Sequence, residues 1–430
     1  MTGGSARAVA LELVRRVADE GAYSNVLLPA LLRRSGLSAR DRGLATELGY
    51  GTLRRLIPID GRLADLVERP LDRAPPLARA ALRIGTYQLL HTRIPGHAAV
   101  GETVELVPTS QRGFVNAVLR SLSTAAPPAA GGTGDGAVAM RTGLAAWAVT
   151  ELRRLVGDEA EAAAAALASP APLTIRSNPC AVPIEELERA LRAAGHLPER
   201  GAIHHGSMAV PGAVPTELPG FADGWFAIQD QASAFVVDVL DPQPGELILD
   251  ACAGPGGKAS DIACRSGSVV AADHTEGRVR LVKQTADRLR LSTRLLVQDA
   301  ATPALRDGFD RVLVDAPCSG IGAARRRPEL LWRPLKRDLS RLAQLQVRLA
   351  LGAASLLRPG GILVYSVCTF PRAETEAVCD ALLRQAPFLR PDPFTDPEGK
   401  QSERARLWPH RSGTDAMFVA RFRREGGPAR

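Results

Sequence analysis

Two short segments carry the side chains that a covalent reaction would need. One reads Val314-Asp315-Ala316-Pro317-Cys318-Ser319-Gly320, the other Val364-Tyr365-Ser366-Val367-Cys368-Thr369-Phe370. Each places a cysteine in a polar turn just past an apolar run, and the first sets a carboxylate three residues ahead of its thiol. A single buried cysteine is ordinarily a small apolar filler. Two of them at the ends of strand-like runs, one beside an acid, point to nucleophilic chemistry instead. A pyrimidine explains why a thiol would be wanted. Carbon 5 of cytosine is too weak a nucleophile to take a methyl group from a sulfonium unaided. A thiolate adding at carbon 6, helped by a proton at N3, turns the ring into an enamine. The base must also leave any stack before its face can be reached.

A third segment, Leu249-Asp250-Ala251-Cys252-Ala253-Gly254-Pro255-Gly256-Gly257-Lys258, has the glycines that let backbone approach a ligand where a strand turns into a helix. A phosphate-binding P-loop would need glycine at Cys252 and Ser or Thr at Ala259, so that reading fails. Gly254, Gly256 and Ala259 satisfy the loose dinucleotide pattern, and Asp273, 19 residues past Gly254, stands where an acid accepts ribose hydroxyls. By itself this loop suits a nicotinamide or an S-adenosylmethionine; the cysteine segments favour the second. Asp299, after Leu295–Val297, is a candidate for the adenine edge, with a cap as the plainer alternative. Basic residues follow Gly322: Arg325, Arg326, Arg327, Arg333, Lys336, Arg337, Arg341 and Arg348. Arg325 and Arg326 are the expected phosphate contacts, and a solvated helix face is the alternative for the rest.

Short apolar strands alternating with helices must position these groups. Strands are expected at Leu247–Leu249, Val269–Ala272, Leu295–Val297, Arg311–Val314, Ile362–Tyr365 and Met417–Arg421. That alternation specifies a doubly wound sheet with its ligands at the strand carboxyl ends. Ahead of it, residues 5–123 read as all helix, with Val9, Leu13, Val14 and Val17 on one face and prolines 58, 75, 76 and 95 between the runs. Residues 124–141 read as a flexible Ala/Pro/Gly linker. Then come a helix near 144–168, an extended Leu173–Arg176 and a helix at 184–194, a small α+β segment over 142–240; the sheet domain occupies 241–425.

Composition sets the outer bounds. A chain of 430 residues, 45% hydrophobic and 23% charged, is an ordinary soluble type with more than one core. Its net charge of +8 favours a polyanionic partner. Residues 1–123 hold 17 Lys+Arg against 11 Asp+Glu, so most of the excess lies in the helical region. Arginine supplies nearly all of the positive charge; lysine occurs only at 258, 283, 336 and 400, which singles out Lys258 in its glycine-rich loop. The six cysteines form no C-x-x-C pair, so a zinc site lacks its spacing, and reduced thiols are expected throughout. No apolar run of 18 residues appears, and the first residues lack a signal-peptide core; a cytoplasmic, monomeric protein that does not engage membranes is expected.

On these residues the chain resembles the NOL/NOP/Sun family of RNA cytosine-5 methyltransferases. Asp250–Lys258 is similar to that family's D-x-C-A-A-P-G-G-K loop with Gly254 for the second alanine, and Asp315–Gly322 matches its D-A-P-C-S-G-x-G. Tyr365–Thr369 resembles its Y-S-T-C-S, Phe226–Ser233 its segment ahead of the sheet, and Thr414–Phe418 its last strand. Leu82–Leu90 and Gly113–Arg120 resemble the RNA-binding NusB fold. The resemblance implies an all-α NusB-like domain, a small α+β segment and an α/β Rossmann-like methyltransferase domain acting on small-subunit ribosomal RNA. It implies Cys368 as the attacking thiolate, Cys318 as the group assisting product release, and Asp315 at the cytosine. Cys252, Ala253, Gly254, Pro255, Gly256, Gly257, Lys258, Asp273, Arg278, Asp299 and Asp315 would hold S-adenosylmethionine, and Arg176, Arg325 and Arg326 would meet RNA. Val367 replaces a usual threonine and Arg327 a common histidine. A nicotinamide oxidoreductase and a non-catalytic RNA-binding factor are the competing readings.

Overall fold

The computed structural model describes residues 5–126 and 131–426. The chain divides into two units: residues 1–169 with 324–334, and residues 170–323 with 335–430.

The first unit is helical: α1 Ala6–Asp19, α2 Ser24–Ser35, α3 Ala39–Arg54, α4 Leu56–Ala64, α5 Pro76–His91, α6 Gly96–Val104, α7 Thr109–Thr124, α8 Asp135–Thr142, α9 Ala146–Val156 and α10 Ala160–Leu167. Ser5 caps α1 by accepting the Ala8 N–H, and Val9, Leu13, Val14 and Val17 line its buried face, the spacing a 3.6-residue repeat requires. Pro76 opens α5, where its fixed φ suits a first turn. Leu13, Leu48, Leu53, Ile59, Leu63 and Leu82 are fully enclosed at the centre.

Two expectations about boundaries are corrected here. Residues 127–130 of the expected linker lie outside the described residues, but its second half folds as α8, which buries Val138 and Ala139. Asp135 in its first turn accepts from Thr150 and Arg153, and Gly143 ends it with a left-handed φ of 82°. An Ala/Gly-rich segment can thus fold when a few apolar residues fall on one helical face against a neighbour. The helix expected over 144–168 breaks at Gly157 into α9 and α10, and both belong to the helical unit.

The second unit opens with a small antiparallel sheet, ordered β2-β3-β1-β4, from β1 Thr174–Ser177, β2 Glu199–Arg200, β3 Ser207–Ala209 and β4 Phe226–Ile228. Helix α11, Ile184–Ala193, packs Leu187 and Leu191 on Ile175, Met208 and Phe226. After α12, Gln231–Leu240, the main sheet begins: β5 Ile248–Asp250, α13 Gly257–Ser266, β6 Val270–Asp273, α14 Glu276–Leu289, β7 Arg294–Val297 and β8 Phe309–Asp315. It continues with α15 Leu339–Ser355, β9 Leu357–Val367, α16 Glu376–Gln385 and β10 Leu389–Pro391. A short hairpin (β11 Phe394–Thr395, β12 Gln401–Ser402), β13 Arg404–Leu407, α17 Pro409–Ser412 and β14 Met417–Arg424 complete it.

The sheet is ordered β10-β14-β9-β8-β5-β6-β7, with β13 also on β14. Strands β5 to β9 are parallel, while β14 runs antiparallel to β9. Leu363 to Val367 of β9 are all buried, as a strand covered on both faces demands. Chain order reverses between β5 and β8, and a crevice opens beyond the carboxyl ends of strands at such a reversal. Both the glycine-rich loop and Asp315 leave the sheet there.

Candidate active site

The β5–α13 turn is built to bring backbone close to a ligand. Gly256 caps α13 at φ 104°, and a Cβ there would come within 3.0 Å of the Val282 Cα, so glycine is required twice over. Asp273, at the end of β6, accepts from the Gly254 N–H at 3.0 Å and from Arg278 Nε at 2.9 Å. Burial raises the Asp273 carboxyl, but Arg278 and the Gly254 amide outweigh it and hold the group below its ordinary range. Arg278 Nη2 also donates to the Gly254 carbonyl at 2.6 Å, joining the first two strand ends. Burial pushes the Cys252 thiol well up, so it stays protonated beneath the loop. Asp250 Oδ1 and both amide atoms of Gln298 are buried without a hydrogen-bond partner, at the ends of β5 and β7. Asp299 is exposed and accepts from the Ala301 N–H at 2.9 Å, the cap role that was its alternative.

The two cysteine turns meet. Parallel pairing sets Asp315 against Ser366, so Cys318 and Cys368 leave neighbouring strands at the same level and their sulfurs lie 3.6 Å apart. Both residues are half-buried. Hydrogen bonding from Cys318 lowers the Cys368 thiol and nearby Lys258 adds to that, while burial and the carboxylates of Asp315 and Asp415 oppose it. The same bond raises Cys318, which remains the donor. Of the two thiols, Cys368 is therefore the more readily ionised, with Cys318 placed to donate to it. Asp315 is fixed through both oxygens: Lys258 Nζ donates to Oδ2 at 2.6 Å and Ser366 Oγ to Oδ1 at 2.8 Å. Two thiols, a carboxylate, an ammonium and the glycine-rich loop thus share one strand edge.

Several side chains that sequence reasoning passed over hold this arrangement. Glu374, wholly buried, accepts from the Ser319 N–H at 2.8 Å, from Ser319 Oγ at 2.5 Å and from Gln346 Nε2 at 3.0 Å. Ser319 Oγ and Thr369 Oγ1 lie 2.7 Å apart. An acid six residues after Cys368 was the only signal in the sequence.

Arg176 is a correction. Expected at RNA, it is 2% exposed and spans from β1 to α13, with Nε on Gln229 Oε1 at 2.7 Å, Nη2 on Ser260 Oγ at 3.1 Å and Nη1 on Asp261 at 3.2 Å. Its charge is spent on Asp261, because a guanidinium enclosed between two layers requires a carboxylate. The expectation of reduced thiols throughout is also corrected. Cys180, after β1, and Cys264, on α13, form a disulfide, since the fold brings their Cα atoms to 5.9 Å. Arg325 and Arg326 fall in the stretch that joins the helical unit and are half-buried there, the Arg325 carbonyl accepting from Arg54. Arg327 lies over the Tyr23 ring at 4.9 Å, and Val367 faces a core with Phe418 and Tyr365. The two departures from the family pattern therefore sit in packing positions.

Comparison with known proteins accords with this layout. Residues 237–423 match the family model "16S rRNA methyltransferase RsmB/F", and residues 4–124 match the NusB family. The chain is 34% identical to the "Probable ribosomal RNA small subunit methyltransferase B" of Bacillus subtilis, over 98% of this chain and 99% of that one. It is 38% identical to a "Putative methyltransferase" of Mycobacterium tuberculosis, over 97% and 96%. The crystal structure of PH0851 superposes with a TM-score of 0.84 over 98% of this chain and 99% of that chain, at 23% identity, and so shares its fold.

Proposed function

The chain belongs to the RsmB/F family of 16S rRNA methyltransferases, whose donor is S-adenosylmethionine, and we propose from this that it methylates carbon 5 of a cytosine in small-subunit ribosomal RNA through a Cys368–carbon 6 bond. The observation that carries the proposal is the 3.6 Å approach of the Cys318 and Cys368 sulfurs beside the Lys258–Asp315 pair. A nicotinamide enzyme has no use for that arrangement, and a non-catalytic RNA binder has none either.

The strand edge fits the donor. The Gly254–Gly257 backbone, the Asp273 carboxylate and the Arg278 guanidinium would hold it, and the buried partnerless Asp250 oxygen and Gln298 amide mark polar positions that a polar ligand or water can satisfy. Bound S-adenosylmethionine supplies an electrophilic methyl group on a positively charged sulfur. Cys368 attacks carbon 6 as the thiolate, forming the S–C6 bond, while the Lys258–Asp315 pair delivers a proton to N3; carbon 5 is then an enamine carbon and accepts the methyl group. Once Cys368 is a neutral thioether, the largest of the influences that raise Cys318 is gone, while burial and the Glu374 and Asp315 charges persist; its thiol then gives up its proton to water more readily than before. The Cys318 thiolate then takes the proton from carbon 5, the ring double bond re-forms, and the C6–S bond breaks. Cys368 leaves as a thiolate beside a Cys318 thiol, N3 returns its proton to the Asp315 pair, and the starting state is restored.

The test uses RNA from cells with and without the gene, together with two variants. Bisulfite sequencing should reveal a small-subunit cytosine protected only when the gene is present. Cys318→Ala should accumulate a protein–RNA adduct that survives denaturation, and Cys368→Ala should form none. Adducts from the second variant and none from the first would reverse the assignment.

A further inference from the structure

We propose that Glu374 is a positioning residue that, with Gln346, holds the Cys318 thiol against the Cys368 sulfur. The inference rests on the cytosine reading for its purpose, but the geometry stands by itself. Cys318 sits between two anchored neighbours. On one side the Pro317 carbonyl accepts from Gln346 Nε2 at 3.0 Å; on the other, Ser319 gives both its N–H and its hydroxyl to the Glu374 carboxylate. Thr369, next to Cys368, meets the same group, with its Oγ1 3.4 Å from Glu374 Oε2 and 2.7 Å from Ser319 Oγ. One carboxylate therefore takes hydrogen bonds from residues adjacent to both sulfurs.

The support is itself rigid. Gln346 lies buried on α15 and donates to Glu374 Oε1 at 3.0 Å. The Tyr365 hydroxyl, inside β9, donates to the Glu374 carbonyl at 2.7 Å, with Gln346 Oε1 3.2 Å away as the alternative acceptor for the same proton. A fully enclosed acid that gathers several donors is retained only where the surroundings over-determine it. Burial raises the Glu374 carboxyl, and the bonds from Ser319, Gln346 and Thr369 oppose that rise. The Glu374 carboxylate bonds to Ser319, Gln346 and Thr369 and to neither sulfur; it acts by setting where the Cys318 turn stands.

The test reads Cys368 directly. Alkylation of Cys368 by iodoacetamide, with loss of iodide, is followed by peptide mass spectrometry on the full-length chain between about pH 6 and pH 10. Cys318, Asp315, Lys258 and Asp415 act most on Cys368, and the Glu374 charge acts on Cys318; removing that charge would by itself ease ionisation of the pair, opposite to the shift that lost positioning produces. Cys318→Ala should shift the profile to higher pH, because the thiolate loses its donor. Glu374→Gln should shift it likewise, slowing alkylation near pH 7 by about tenfold with secondary structure and S-adenosylmethionine affinity unchanged. Ser319→Ala should shift it in the same direction by less, and decides the matter if Glu374→Gln does not fold. A wild-type profile in a folded variant overturns the proposal. A shifted profile in an enzyme that bisulfite sequencing shows not to methylate carbon 5 upholds the positioning role and removes the cytosine reading.

Discussion

At the scale of single residues, proximity turns ordinary side chains into reactive ones. Cys318 and Cys368 are 50 positions apart, and only the pairing of two parallel strands makes one the donor to the other. The motifs singled out the two cysteines and the acid that the fold brings together; they could not give Glu374, whose partners come from three separate segments, or expose Arg176 as a strut. Asp250 shows what enclosure does. Burial first, then the neighbouring Asp315 charge, push its carboxyl from an ordinary 3.8 up to about 7, with Lys258 opposing. An acid whose folded pKa exceeds its unfolded one contributes its full stability below the unfolded value and loses it as pH rises through the folded value. Asp250 therefore makes the native state less stable at pH 8 than near pH 4, by on the order of 4 kcal/mol. Asp250→Asn should flatten that slope, raising Tm relative to the parent at pH 8 while leaving the difference small near pH 4. Thermal unfolding at both pH values checks it, and parallel slopes would refute it.

At the scale of elements, β5 to β8 were legible to within two residues because enclosed parallel strands must be apolar runs, whereas β9 starts five residues before its expected bound and β14 runs three residues past its own. What escaped were pairings that no local pattern encodes. The Cys180–Cys264 bond joins residues 84 positions apart across two layers of the second unit. Closing a loop of that length restricts the unfolded chain by up to about 4.6 kcal/mol. Reduction with dithiothreitol should lower the Tm of the second unit by several degrees, and calorimetry of Cys180→Ser, which should match the reduced parent, separates this from any effect of the reductant. The turn that carries Cys318 has a similar long-range lock. The Gly322 N–H donates to the Cys368 carbonyl at 3.1 Å, and its own carbonyl accepts from the Ala416 N–H at 3.0 Å. A Cβ at 322 would collide with the Ala416 carbonyl oxygen. Gly322→Ala should displace the turn that carries Cys318 and reduce kcat by about a hundredfold, the usual effect of a misplacement near 1 Å, with donor affinity kept within about twofold. Single-turnover kinetics and equilibrium binding check the two halves; an unchanged kcat would show that the lock is not needed.

At the scale of the whole molecule, the division into a basic helical region and a sheet was readable from composition and periodicity, yet neither unit is a single continuous stretch of chain. The chain leaves the second unit after Ala323, gives residues 324–334 to the helical one, and returns at Leu335. No periodicity marks this excursion, because its residues take their meaning from partners some 300 positions earlier. Glu329 is enclosed and accepts from the Ser24 N–H and hydroxyl. Trp332 donates to the Leu53 carbonyl at 2.9 Å, and Arg333 to those of Val17 and Ala22 at 2.7 Å. Leu330 and Leu331 are buried beside them. A fragment beginning at Pro170 would retain every strand of the main sheet but strip these partners away, leaving two leucines, a tryptophan and an unsatisfied carboxylate on its surface. Exposed apolar clusters of that kind drive association. The fragment should self-associate in sedimentation velocity at concentrations where the full chain does not. Replacing Leu330, Leu331 and Trp332 by serine in the fragment should restore a single species, whereas the same replacements in the full chain should destabilise its helical unit by several kcal/mol. A fragment that stays monodisperse without those changes would mean that the excursion has no structural dependence on the helices that now enclose it.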